Sequence, residues 1–383
     1  MEFNFSVSTQ IQFGAGKSRQ AGQISHNLIS TRTSPASAKV LVIIDPGIRE
    51  MSWLKDILDG FIENDLQFHL FEQVKPNPRD EDVLAAASLV KENNSGVLIA
   101  IGGGSALDTA KGASLLATYG GKTSDYAGWA KVPGVILPVV AIPTTAGSGS
   151  EATCWAVITD SDSHTKMAIG DPNLAPVVAL VDPLVTISLP AGITAATGMD
   201  ALTHSIEAYL CTLASPMNDL LALESIRLVA TNLNRAVSAG KDQAAREGMM
   251  LASLLGGVTI NNADVAGVHC LTEGMGGRYD APHGLLNAIL LPYFMSFWQN
   301  GCSERFTHIA EAFGAEPTPE AAVTRVMQLT RSMNFPSLMD IGVKSTDLPI
   351  LAALAETNVS NPSNPVPMKA SDYQAILEQA MII

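Results

Sequence analysis

Two stretches carry the residues best able to do chemistry. VHCLTEGMGGRYDAPHG, from Val268 to Gly284, holds His269 and His283, two of the chain's seven histidines. Upstream, TGMDALTHSIEAY places Asp200 and His204 four residues apart. On a helix, positions i and i+4 lie on one face, so a carboxylate and an imidazole there can grip one metal ion. His269 and His283 would supply two more ligands. Three imidazoles and one carboxylate suit a borderline divalent ion such as iron(II) or zinc(II). Taken alone, an Asp-His pair at this spacing is also a common polar pair on a helix. Cys270 adjoins His269, but on a helix a neighbouring residue points about 100° away, so Cys270 is read as packing.

Such ligands need rigid helices to hold them, and the second half of the chain supplies the pattern. After about Pro190 the sequence shows long 3.6-residue periods rich in Ala, Leu and Met, as in Asn218–Ser238, Gln243–Asn261 and Pro319–Met333. This half reads as all-helical. The first half alternates strands with helices. Lys39–Asp45 (KVLVIID), Leu66–Phe71, Val97–Ile101, Val135–Ile142 and Val177–Val181 are apolar runs of the kind buried in a parallel sheet. Met51–Glu63, Asp80–Asn93 and the stretch after Gly104 read as helices between them. Alternation of this kind predicts a doubly wound, Rossmann-like parallel sheet. Proline and glycine at Leu189–Gly192 place the boundary, giving an α/β domain over 1–190 and a helical metal-binding domain over 191–383. Ser30–Ser37 and Asn358–Pro367 read as polar loops. No internal repeat is evident.

Composition narrows the function classes. The chain has 383 residues, of which 47% are hydrophobic and 16% charged, with a net charge of −14. The charged fraction is low, so much of the surface is expected inside cores or at subunit contacts, as in a homodimer or larger homo-oligomer. The negative charge argues against nucleic acid or an acidic membrane as partner. Four scattered cysteines without a CxxC pair fit free thiols in a reducing compartment. MEFNFSVSTQIQFGAG lacks a basic region followed by an apolar core, so no signal peptide is expected. No apolar run of 18 residues is present. These readings point to the cytoplasm.

The α/β half also carries two candidate phosphate loops. Gly102, Gly103, Gly104 and Ser105 follow the strand VLIAI and open a helix, which offers backbone N–H groups to an anion. The glycines let a ligand approach the backbone closely. This is not GxGxxG, which would need glycine at Leu107, nor a Walker loop. Alone it could be a tight turn. Pro143–Glu151 (PTTAGSGSE) is a second Gly/Ser/Thr-rich loop after a strand. Two such loops at one sheet edge suit a pyrophosphate and a ribose. Asp45 ends the strand KVLVIID, where an acid can bind a ribose 2′-hydroxyl. It can equally start the turn Asp45-Pro46-Gly47.

Together, GGGSALDTAK (Gly102–Lys111), PTTAGSGSE, ATGMDALTHSIEAY (Ala196–Tyr209), His269 and PHGLLNAILLP (Pro282–Pro292) resemble the iron-containing, or group III, alcohol dehydrogenase family. The match covers most of the chain, in order and with the same spacing. The resemblance implies a dehydroquinate synthase-like architecture. It implies Asp200, His204, His269 and His283 as ligands of one divalent metal, iron(II) or zinc(II), and NAD(H) as cofactor. Gly103, Gly104 and Ser105 become the pyrophosphate contacts. Asp108 is placed near the nicotinamide side, Thr144, Thr145 and Ser148 along the cofactor, Lys166 at its ribose, and Asn77 at the adenine-side ribose. Asp45 stands where members preferring NAD carry an acid, which would repel a 2′-phosphate. Many members have a histidine four residues after the third ligand. Here that place is Glu273, a candidate for proton handling, pocket shaping or metal support.

The implied reaction is hydride transfer between nicotinamide and a small alcohol or aldehyde bound to the metal. Alternatives are a carbon–oxygen lyase or cyclase of the dehydroquinate synthase type, a non-catalytic nucleotide-binding protein, and a family member specialised for a hydroxy acid, diol or sulfonated aldehyde. A phosphorylated substrate would call for a basic cluster near the ligands, where Arg278 is the nearest in sequence.

Overall fold

A computed structural model of the chain describes residues 2–31 and 39–381. Most of the polar loop expected at Ser30–Ser37 lies outside the described residues. The chain forms two compact units, Val7–Thr145 with Gly149–Ser188, and Met1–Ser6 with Ala146–Ser148 and Leu189–Ile383.

The first of these units alternates strands and helices. In chain order it runs β1 (Gln10–Phe13), α1 (Ala21–Ser30), β2 (Lys39–Ile44), α2 (Ser52–Glu63), β3 (Gln67–Phe71), α3 (Asp80–Asn93), β4 (Val97–Gly102) and α4 (Gly104–Tyr119). It continues through β5 (Gly128–Trp129), β6 (Val139–Pro143), β7 (Trp155–Thr159), β8 (Lys166–Gly170) and β9 (Val178–Val181). Six strands form one sheet in the order β1-β9-β6-β4-β2-β3, with every pairing parallel. Side chains alternate across it. Val40, Val42, Ile99, Ile101 and Ile142 pack with Ala21, Leu54, Ile57 and Phe61 of α1 and α2. Leu41, Ile43, Leu98, Ala100 and Ala141 pack with Val83, Ala86, Leu107 and Ala110 of α3 and α4. Helices on both faces bury both faces, which is why these strands read as unbroken apolar runs. The sheet is doubly wound, as the sequence predicts.

Local chemistry sets several ends. Asp80, Glu81 and Asp82 fill the first turn of α3, where the helix dipole favours acids, and Asn94 closes it in a left-handed conformation (φ 51°). The Val135–Ile142 run yields a strand only from Val139, after Pro138, whose ring offers no N–H to a ladder. The sequence reading missed β1 and a separate three-stranded sheet, β5-β8-β7, in which β7 and β8 are antiparallel.

The second unit is helical. It holds α5 (Ala191–Leu210), α6 (Pro216–Ser238), α7 (Gln243–Asn262), α8 (Gly267–Tyr279) and α9 (His283–Trp298). Four further helices follow: α10 (Ser303–Ala312), α11 (Pro319–Ser332), α12 (Leu348–Glu356) and α13 (Ala370–Ala380). Side-chain caps start α6 (Ser215), α7 (Asp242) and α11 (Thr318), each accepting from a backbone N–H three residues on. Helix α5 is buried along most of its length and packs against α6, α7 and α9. Pro292 inside α9 cannot donate to the carbonyl of Ala288, which instead accepts the Thr330 hydroxyl at 3.3 Å. Among the described residues no helix is long and apolar enough to cross a membrane.

Candidate metal centre

Three helices of the second unit bring four ligand-type side chains together. Asp200 and His204 project from one face of α5, His269 lies in the first turn of α8, and His283 opens α9. Close packing makes this possible. A Cβ added at Gly284 would lie 2.6 Å from the Ala196 carbonyl oxygen and 3.1 Å from Asp200 Cβ. Only glycine lets the start of α9 approach α5 closely enough to set His283 beside Asp200.

One ligand atom from each of the four residues lies within 4.8 Å of every other. Asp200 Oδ1 is 4.0 Å from His204 Nε2 and 3.9 Å from His283 Nε2. Four-coordinate bonds of about 2.1 Å would place donors about 3.4 Å apart, so small side-chain rotations close the set on an ion. The His204 and His269 rings stack with centroids 4.8 Å apart, and His269 and His283 lie at 5.0 Å. Asp200, His204 and His269 are buried, whereas the His283 side chain is 27% exposed and forms the open side of the set.

Outer partners engage Nδ1 of His204 and His269. His204 Nδ1 lies 3.3 Å from the Gly147 carbonyl, which can only accept, so Nε2 keeps its lone pair. Gly147 itself must be bare: a Cβ there would sit 2.7 Å from Thr197 Cβ. Burial holds the His204 pKa below the ordinary imidazole value, which favours the neutral ring a metal needs. Burial acts in the same direction on His269, but the Glu207 carboxylate hydrogen-bonded to its Nδ1, together with Asp200 and Glu273, outweighs it and raises the net value. Asn287, fully buried one turn after His283, accepts from Thr272 Oγ1 at 2.7 Å. That fixes the amide so that its NH2 lies 2.7 Å from Asp200 Oδ1 and 3.2 Å from Nε2 of both His269 and His283.

The sequence reading missed Glu207, Asn287 and Thr272. Glu207 stands three residues after His204 and Asn287 four after His283, so helical spacing could have flagged both. Glu273 lies one turn beyond His269, half-buried, and its Oε2 accepts from Asn358 Nδ2 at 2.7 Å. It is not among the four converging residues. Cys270 is buried, with its thiol pKa pushed up by burial, in keeping with packing.

The candidate cofactor residues gather mainly at one edge of the parallel sheet. Neighbouring strands β2, β4 and β6 end at Asp45, at Gly103–Ser105 and at Thr144–Thr145. Gly103 caps α4, and Gly104 and Ser105 form its first turn, so their N–H groups point out at a helix N-terminus. Thr145 lies against Gly103, its Oγ1 3.3 Å from where a Cβ would stand. Asp45 Oδ1 accepts from Gly47 N at 2.8 Å and so caps the following turn. Asn77 follows β3 with a left-handed backbone (φ 51°).

Asp108 has both oxygens engaged, by Ser150 Oγ at 2.6 Å and by Val157 N at 3.0 Å. Desolvation raises its pKa against the pull of Lys111. Lys166 opens β8 and adds a further favourable charge toward Asp108. Ser148 belongs to the helical unit, unlike the other cofactor candidates.

Comparison with known proteins agrees with both units. The family described as iron-containing alcohol dehydrogenase matches residues 8–183, and the Fe-containing alcohol dehydrogenase family C-terminal domain matches residues 194–381. Alcohol dehydrogenase 4 of Schizosaccharomyces pombe is 41% identical over 345 residues, covering 89% of this chain and 82% of that protein. The NAD-dependent methanol dehydrogenase of Bacillus methanolicus is 35% identical over 99% of this chain and 100% of its own. The crystal structure of a 1,3-propanediol oxidoreductase superposes with a TM-score of 0.94 at 35% identity, over 99% of this chain and 100% of that one. With both halves matched, and three histidines and an aspartate converging in the helical half, the chain belongs to the iron-containing alcohol dehydrogenase family and is an oxidoreductase.

Proposed function

We propose that the protein is a metal-dependent, NAD(H)-linked alcohol dehydrogenase or aldehyde reductase whose substrate is a small uncharged alcohol, diol or the matching aldehyde. The convergence of Asp200, His204, His269 and His283, with outer partners setting the rings, is the observation that carries this reading. These four would hold one divalent ion. Iron(II) is the proposed resident, with zinc(II) suited to the same donors. Bound there, the ion supplies Lewis acidity toward an alcohol or carbonyl oxygen. Gly103, Gly104 and Ser105 would bind the NAD(H) pyrophosphate, Thr144, Thr145 and Ser148 would line the cofactor, and Lys166 and Asn77 would meet its riboses. Asp45 would take the adenosine ribose hydroxyls, and Asp108 would brace this site from α4. The chain's task is to hold nicotinamide C4 against the substrate carbon. We place the enzyme in the cytoplasm as a homodimer or larger homo-oligomer, supported by its low charged fraction and scattered free cysteines.

Charge supports the uncharged substrate class. Asp200, Glu207 and Glu273 lie at or beside the ligand set, and among the described residues no lysine or arginine forms an ion pair with any of them. Arg278 is taken by Asp347 at 3.0 Å. Such surroundings disfavour a phosphorylated substrate, a hydroxy acid or a sulfonated aldehyde. The names of the methanol and propanediol relatives run in the same direction. The test is a panel of alcohols, diols, aldehydes, hydroxy acids and a sulfonated aldehyde, assayed by NADH absorbance with iron(II)- and zinc(II)-loaded protein. Turnover of short neutral alcohols or diols is expected. No turnover of any member would overturn the assignment, and a preference for the anionic members would overturn the substrate class.

A further inference from the structure

We infer that Glu207 is the positioning residue that fixes His269 for metal binding and joins that ligand to the start of α8. This rests on the metal-centre reading above. Glu207 lies on α5, fully buried, three residues after His204. Its two oxygens are divided between two partners on α8. Oε1 accepts the backbone N–H of Val268 at 2.7 Å, and Oε2 is hydrogen-bonded to His269 Nδ1. Val268 is the second residue of α8. Its N–H therefore has no acceptor within the helix, and α8 has no side-chain cap of its own. A carboxylate from a neighbouring helix fills that place, where the helix dipole also favours negative charge.

The same carboxylate decides which nitrogen of His269 can ligate. A buried carboxylate accepts, so Nδ1 carries the hydrogen and Nε2 keeps its lone pair. Nε2 is the atom that faces the other ligands, 3.2 Å from the Asn287 amide that also touches Asp200 and His283. One residue thus holds the backbone and the ring of the α8 ligand together. A displaced α8 start or a turned ring would each misplace Nε2.

Glu207→Gln tests this with little change of size. Its amide oxygen can still accept from Val268, but its NH2 would then face Nδ1. That favours hydrogen on Nε2, which cannot ligate. Zinc(II) and iron(II) dissociation constants, read by competition with a chelator of known affinity, should rise roughly 10–100-fold, the usual range for loss of an outer partner of a metal ligand. In a His269→Ala background the same change should add almost nothing. If Glu207 serves only to cap α8, E207Q, which keeps an acceptor for Val268, leaves the dissociation constant within about two-fold whatever its effect on the melting temperature of metal-free protein, and the inference falls. Should E207Q fail to fold, Glu207→Asp keeps the charge and withdraws the oxygens by one methylene. Weakened binding there supports the inference and unchanged binding overturns it. The wild-type protein run alongside keeps the two readings apart, because a wild type without stoichiometric metal removes the metal centre itself.

Discussion

Glu273 shows how a partner redefines a residue. Sequence spacing alone left it three roles beside His269. Its bond to Asn358 commits one carboxylate oxygen to the loop that runs to Pro367. With Oε2 held by an amide, we propose that Glu273 shapes a pocket wall rather than relaying a proton. Glu273→Gln preserves an acceptor for Asn358. We expect full metal content, less than about a tenfold fall in kcat, and an unchanged pH–rate profile. A fall in the range of roughly 10²–10⁴ with one limb of the profile flattened would instead make Glu273 the proton carrier. Asp45 has one observed task and one proposed one. Its carboxylate caps a turn through Gly47 and stands at the end of β2, beside the glycine loop. Asp45→Ala should narrow the NAD over NADP preference in kcat/KM by roughly 1–3 kcal/mol, the scale of one charge-assisted contact and one repulsion. Loss of the cap alone would cost about 1 kcal/mol of stability and leave that ratio where it was.

At the scale of elements, helix α4 is fastened to the loop after β6 by one buried ammonium. Lys111 is fully buried, and its Nζ lies 2.7 Å from the Trp155 carbonyl, 2.8 Å from Ser150 Oγ and 3.0 Å from the Thr153 carbonyl. Burial pulls its pKa down, opposed by Asp108 at 3.9 Å. The glycine loop opens this same helix, so Lys111 sets the spacing between the two loops proposed to hold the cofactor. Lys111→Met leaves two carbonyls without a donor and Asp108 without its nearer cation. We expect a loss of about 3 kcal/mol or more in denaturant unfolding and weaker NADH binding by fluorescence, with metal content intact because the candidate ligands lie in the other unit. Unchanged NADH affinity in folded variant protein would reduce Lys111 to a purely stabilising role.

The elements also differ in how far the sequence disclosed them. Strands β2, β4, β6 and β9 were legible because burial on both faces leaves them apolar throughout. The β5-β8-β7 sheet was not. It has one strand of two residues and another that opens on lysine, with half-buried sides that blur the alternation. Asp200 and His204 were legible because i, i+4 spacing is a property of a single helix. Helical spacing puts Glu207, Thr272 and Asn287 beside His204, His269 and His283 but does not say what they bond. Their role exists only where α5, α8 and α9 meet, and no local period encodes that meeting.

Across the whole molecule, the proposed ion would act within one unit. All four candidate ligands and Glu207 belong to the helical unit. Asp200 and Glu207 are buried carboxylates there, offset by amide, backbone N–H and imidazole partners and by no lysine or arginine ion pair among the described residues. A divalent cation at the ligands would neutralise that charge and cross-link three helices. Ion present at a hundredfold over its dissociation constant adds about 2.7 kcal/mol to the folded state. For a unit of this size each kcal/mol moves the melting point by roughly 2–4 °C, so chelation should lower it by about 5–10 °C. Hydrogen exchange gives the sharper reading. After chelation, amides of α5, α8 and α9 should exchange faster, while those of β2, β4 and β6 keep their protection. Acceleration spread evenly over both units would mean that the ion stabilises the fold in general. No acceleration in α8 and α9 would mean that His269 and His283 do not hold it.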